Sequence, residues 1–136
     1  YTKSNSAYWS KNYCLQSFYR KNSGMDRLNK YQDILETYLN KYSKIKPANL
    51  PDIESYAIID KVNNHFQLLQ LGWQGETYFF TVVLHFDIKD GKVWFQRNIT
   101  DRDVVDELME MGIEKQDIVL GFRYPKMRPY SGFAVA

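Results

Sequence analysis

Residues 77–96 read TYFFTVVLHFDIKDGKVWFQ, and how this stretch pairs decides the fold. Asp90-Gly91, flanked by Lys89 and Lys92, accepts positive φ at both central positions of a two-residue turn, so the stretch predicts a β-hairpin. Counting back from such a turn pairs Ile88 with Val93, Asp87 with Trp94, Phe86 with Phe95 and His85 with Gln96. Side chains alternate faces along a strand. Tyr78, Phe80, Val82, Leu84, Phe86 and Ile88 then share one face without a polar interruption, which is the expected core face. The other face carries Thr77, Thr81, His85, Asp87 and Lys89 and is expected to meet solvent or a partner.

Upstream, residues 55–62 and 65–73 read as two further strands, with turn signals at Asn63-Asn64 and Gln74-Gly75. Four strands with short connections predict an antiparallel meander, because parallel pairs need long crossovers. Residues 26–42 place Leu28, Tyr31, Leu35, Tyr38, Leu39 and Tyr42 on one helical face, with Asp26 as N-cap and Pro47 beyond the end. A second helix is expected from Thr100, with Thr100 and Asp103 as a capping box and Gly112 as its stop. Residues 118–122 (IVLGF) read as a last strand or a buried connector. The expected fold is α+β: a four-stranded antiparallel β-meander with helices on one face, that lined by Phe80, Leu84, Phe86 and Phe95. Its order is α-β-β-β-β-α plus a short C-terminal segment.

The length of 136 residues and the 44% apolar content suit one packed domain. The net charge of +2 is unevenly spread: Lys3, Lys11, Arg20 and Lys21 stand in residues 1–24 without an acid, so residues 25–136 carry −2. Residues 1–24 hold no apolar period and are expected to be a disordered leader, with Met25 the expected natural start of a single domain over 25–136. The one cysteine, Cys14, has no internal partner, which points to a reducing, cytoplasmic setting. No apolar run approaches the length of a membrane span.

His85 and Asp87 share a strand face and offer two metal ligands. The pattern lacks a third, since His65 lies near a turn and Cys14 in the leader, so neither metal nor cofactor is expected. No phosphate-cradling glycine loop and no nucleophile motif is present, so the chain reads as non-enzymatic. The tail alternates Arg123, Lys126 and Arg128 with Tyr124 and Tyr130 and suits phosphate or an acidic partner. Three cations on a −2 domain make direct DNA binding weak or indirect. The residues expected to face a partner are Trp73, His85, Asp87, Trp94, Gln96, Arg123, Tyr124, Lys126, Arg128 and Tyr130.

LQLGWQG at 69–75, HFDIKDGKVWFQRN at 85–98 and DELMEMGIEKQDIVLGF at 106–122 together resemble the XisI-like family, the fdxN element excision controlling factors. MDRLNKYQDIL at 25–35 and the terminal GFAVA at 132–136 fit as well, so the resemblance spans residues 25–136. It implies a small cyanobacterial protein without catalytic residues, acting as an accessory factor in site-specific excision of a DNA element. An XisH-like protein is the implied partner, with a site-specific recombinase as a further contact and a homo-oligomer compatible with both. The alternative it leaves is the interaction half of a two-gene system unrelated to recombination.

Overall fold

The computed structural model describes residues 23–46 and 49–136; the expected leader, apart from its last two residues, and Cys14 lie outside the described residues. The chain divides into two compact units, Tyr1–Lys30 and Tyr31–Ala136. Helix α1, Ser23–Ser43, begins in the first, and from Tyr31 onward it belongs to the second. There Tyr31, Leu35, Tyr38, Leu39 and Tyr42 are buried along the face set by their spacing of three and four. Strands β1 (Glu54–Asp60), β2 (His65–Gln74), β3 (Thr77–Lys89) and β4 (Lys92–Asn98) follow with short turns and pair antiparallel in sequence order.

The sheet does not stop at four strands. After β4 come helix α2 (Val104–Met111), a short 3-10 turn (Lys115–Asp117) and strand β5 (Ile118–Leu120). Strand β5 adds to β4 in parallel, pairing Val93 with Ile118 and Phe95 with Leu120. The result is a mixed five-stranded sheet in the order β1-β2-β3-β4-β5, which corrects the four-stranded antiparallel meander. The physical reason is the connection: the chain between β4 and β5 is long enough to hold a helix, the crossover a parallel pair requires. Helix α2 begins at Val104, with Asp103 as N-cap and no side-chain capping bond. The expected box is therefore absent, and Thr100 instead donates its hydroxyl to Asn98 Oδ1 at 2.6 Å in the turn before the helix. Gly112 ends α2 in the left-handed region at φ 119, as its position suggested.

The hairpin at Asp90-Gly91 forms as expected, with φ of 53 and 77. Ile88 pairs with Val93, Asp87 with Trp94 and Phe86 with Phe95. His85 does not pair with Gln96. It pairs with Arg97, because the register shifts beside His85 and Phe86 and leaves Gln96 as the extra residue of a bulge.

A second bulge decides the faces. Leu69 pairs with Val82 and Leu68 with Leu84, so Val83 is the extra residue on β3. Val83 and Leu84 are both buried, and alternation resumes in the opposite phase on the two sides of the pair. Leu84, Phe86 and Ile88 are core, as expected, and Phe86 stacks on Phe95 at 4.7 Å. Tyr78 and Phe80 are not: Phe80 is 61% exposed, and both stand on the outer face. The expected core face is therefore right for one half of β3 and inverted for the other.

Polar pairs tie the helices to the sheet and to each other. Tyr31 donates to Asp117 Oδ2 at 2.5 Å, just ahead of β5. Tyr38 donates to Glu107 Oε1 at 2.6 Å and joins α1 to α2. Burial, with the Glu107 carboxylate beside it, holds the Tyr38 hydroxyl far above the ordinary tyrosine range.

Candidate functional site

The outer sheet face has two chemically different ends. At one end, Trp73 and Tyr78 sit opposite each other on β2 and β3, with ring centroids 5.0 Å apart, and the Tyr78 ring is 6.5 Å from that of Phe80. Tyr56 on β1 pairs with Leu69 and carries the apolar surface to the sheet edge, where Ile58 extends it to the row of Gln67 and His85. Trp73, Tyr78, Phe80, Tyr56 and Ile58 are all exposed. Five large apolar side chains on adjacent strands make a contiguous surface of the kind that marks a protein contact.

At the other end stand His65, His85 and Asp87. The bulge at Val83 sets His65 opposite Asp87. His65 Nδ1 lies 2.6 Å and His85 Nε2 2.8 Å from the same carboxylate oxygen, Asp87 Oδ1. His85 Nδ1 is 2.9 Å from Gln67 Oε1, and Gln96 Nε2 donates to Asp87 Oδ2 at 3.3 Å. Burial pushes the Asp87 carboxyl up, but hydrogen bonds from His65, His85 and Gln96 outweigh it and hold the group below the ordinary carboxylate range.

Local structure fixes these positions. Asp60 accepts from the backbone N–H groups of Val62 and Asn63, each at 3.0 Å, and so closes the β1–β2 turn. Gln32 on α1 donates to Lys61 O at 3.0 Å and to Asn64 Oδ1 at 2.6 Å, where Asn64 holds a φ of 63. Lys61 in the same turn pairs with Asp33 at 3.0 Å and with Glu36 at 2.8 Å. His65 thus starts β2 from a turn clamped to a helix. Gly121 leaves room for Gln96: a Cβ there would come within 2.2 Å of Gln96 Oε1.

Of the residues expected to meet a partner, the structure brings His85, Asp87 and Gln96 together and sets Trp94 opposite Asp87. Lys89 Nζ lies 4.1 Å and the Arg128 guanidinium 5.3 Å from the centre of the Trp94 ring. Trp73 belongs to the aromatic end; Tyr78 and Asp87 are nine positions apart on β3, about 30 Å along a strand. Tail residues 125–130 form a 3-10 helix, Pro125–Tyr130. Tyr124, Lys126 and Tyr130 are exposed, and Arg123 lies over Phe122. Arg128 donates to Arg123 O and Gly121 O, each at 3.2 Å, so its charge is spent holding the tail. The residues the sequence reading missed are His65, Gln67 and the outward Tyr56, Ile58, Tyr78 and Phe80. The signal that finds them is register, and one extra residue hides it.

No helix among the described residues is long and apolar enough to cross a membrane. The fold and its uncovered face define a small α+β interaction domain, with no hydrolytic or phosphate-binding constellation among the described residues. The chain belongs to the XisI family, whose model matches residues 25–135. It is similar to a XisI-like protein from Anabaena variabilis ATCC 29413, with 41% identity over 80% of this chain and 99% of that one and a TM-score of 0.72. It is also similar to fdxN element excision controlling factor XisI from the same organism, with 32% identity over 81% of this chain and 99% of that one and a TM-score of 0.68. No curated protein matches.

Proposed function

We propose that this chain is a non-enzymatic accessory factor controlling excision of a DNA element, acting by contact with a protein partner through the outer face of its sheet. Kinship with the fdxN element excision controlling factor supports the excision role. The observation that carries the mode of action is the exposed cluster of Trp73, Tyr78, Phe80, Tyr56 and Ile58. Aromatic side chains grouped on a flat uncovered surface supply the anchors that dominate protein–protein binding. The partner is an XisH-like protein in a cytoplasmic setting, with the recombinase reached through that complex.

DNA contact is secondary in this reading. Residues 25–136 carry −2, and Arg128 is engaged within the tail. Arg123 and Lys126, beside Tyr124 and Tyr130, add a basic rim for an acidic partner surface.

The test is capture of partners by the tagged chain from its native cell, with and without nuclease. Nuclease-resistant capture of the XisH-like protein, lost in Trp73→Ala/Phe80→Ala, is the expected result. Capture that depends on DNA, or that survives both substitutions unchanged, overturns the reading. Sedimentation of the chain alone shows whether the same face also serves a second copy.

A further inference from the structure

We propose that His65, His85 and Asp87 bind a divalent transition-metal ion of the zinc class on the outer face of the sheet. The donor atoms of the three residues all lie within 4.8 Å of one another. His65 comes from the start of β2, and His85 and Asp87 from one face of β3, so three backbone positions on paired strands fix the cluster. The third ligand, absent from the sequence pattern, is supplied by the bulge that sets His65 opposite Asp87.

The surroundings are those of a built site. A metal-binding imidazole ordinarily gives its other ring N–H to an acceptor, and a metal-binding carboxylate is ordinarily hydrogen-bonded on its second oxygen. Both features are present. Gln67 Oε1, 2.9 Å from His85 Nδ1, takes that proton and leaves Nε2 as the coordinating atom. Gln96 holds Asp87 Oδ2 at 3.3 Å, so Oδ1, the oxygen that both rings face, is the one to coordinate. Asp87 and His85 are only 16% and 25% exposed and form the inner side of the cluster. His65 is 56% exposed and can adjust.

Donors at the usual metal distance of about 2.0–2.1 Å stand roughly 3.3 Å apart around a tetrahedral ion. The present separations therefore need a small opening at both contacts: the exposed His65 ring can swing away from Asp87, now 2.6 Å off, and a slight rotation of the Asp87 carboxylate widens its 2.8 Å contact with His85. Two imidazoles and one carboxylate favour zinc, cobalt, nickel or iron over calcium and magnesium, which take oxygen donors. Three protein ligands leave a position open toward solvent for water or a side chain of a docked protein. Asp60 stands opposite His65, but its carboxylate is taken up by the Val62 and Asn63 N–H groups of the turn, so the ion serves as a pin.

The same geometry is satisfied by protons shared between the rings and Asp87, and the experiment separates the two. The inference stands apart from the excision reading, because binding is measured on the chain alone. The full chain, stripped with chelator, is titrated with Zn2+ by calorimetry and with Co2+ by visible absorption. One equivalent of metal bound at micromolar concentrations or tighter, with a Co2+ ligand-field band, is expected. Gln67→Ala should weaken binding about tenfold, and His65→Ala by more. His65 is exposed, so losing its contact with Asp87 should lower the metal-free thermal midpoint by only a few degrees, and a folded His65→Ala chain excludes unfolding as the cause. No stoichiometric binding at millimolar metal, or equal binding by His65→Ala, overturns the proposal and leaves a proton-bridged cluster.

Discussion

On β3, the residues before Val83 and those after it have the same kind of sequence and meet different surroundings. After the bulge, Leu84, Phe86 and Ile88 point inward and are buried, while His85 and Asp87 point outward into a polar cluster. Before it, Tyr78 and Phe80 point outward and are exposed. On the inner side of that first half, Phe79 and Val83 line an open cleft of about 790 Å³ shared with Tyr42, Arg102 and Glu107. One extra residue therefore lets one apolar series on a single strand be core at one end and exposed at the other. A sheet covered by helices on one side commonly leaves the other to solvent with polar residues. Here the end that carries Trp73, Tyr78 and Phe80 is apolar instead.

Deleting Val83 is the strongest way to break the contrast. A slip of one residue sends every side chain to the other face. Without the bulge the two halves cannot both keep their faces, and His65 no longer meets Asp87. The deletion should cost at least the ~3–5 kcal/mol of losing a core aromatic and should lower the thermal midpoint sharply. A deletion that leaves the melt intact would show that another feature separates the halves.

Phe86→Ala is next. Phe86 is fully buried against Phe95, so its loss should cost about 3–5 kcal/mol in a urea melt. His85→Ala, one residue away on the other face, should cost under about 1 kcal/mol. Equal losses would contradict the assignment of faces in the second half.

Glu107, on the wall of that cleft, gives a pH-dependent test through its partner Tyr38. Burial and Glu107 raise the Tyr38 hydroxyl above its unfolded value. A folded value raised above the unfolded one contributes stability that is complete below about pH 10 and is lost as pH rises through the folded value. Stability should therefore fall above about pH 10 with a slope approaching 1.4 kcal/mol per pH unit from this group. Tyr38→Phe should flatten that limb while costing about 1 kcal/mol at neutral pH through the lost hydrogen bond to Glu107. Parallel alkaline limbs in the two proteins would show that Tyr38 ionises freely.

The hairpin was legible because Asp90-Gly91 announces its turn and the pairing follows by counting. The same counting fails one strand earlier. From the pair Gln74 and Thr77, an unbroken ladder would set His65 against Phe86, on the core side. Val83 is β-branched and apolar like its neighbour Val82, so nothing in its chemistry marks it as the extra residue. That is why the aromatic end read as core, and why His85 and Asp87 read as a pair lacking a third ligand. Strand β5 was half legible: IVLGF is visibly apolar, but three paired residues after a helical crossover carry no turn signal to fix their partner. The helices were clearer, because the spacing of Tyr31, Leu35, Tyr38 and Tyr42 needs no register.

The smallest expected effect is also the sharpest on function. Phe80 is exposed on the sheet surface, and its ring is 6.5 Å from that of Tyr78. Burial is what makes a large apolar side chain stabilising, so an exposed one contributes little to folding. Phe80→Ser should therefore change stability by no more than about 0.5 kcal/mol, where Phe86→Ala removes several. Trp73→Ala should cost slightly more, because it also removes the ring contact with Tyr78, worth about 0.5–1.5 kcal/mol. The same Phe80→Ser change should shorten retention on a hydrophobic column and reduce binding of an apolar dye, because it divides the exposed surface shared by Tyr78 and Trp73. A loss of stability near that of Phe86→Ala would place Phe80 in the core and restore one continuous apolar face to β3. Unchanged stability with unchanged dye binding would leave the outer face without an apolar patch for a partner to cover.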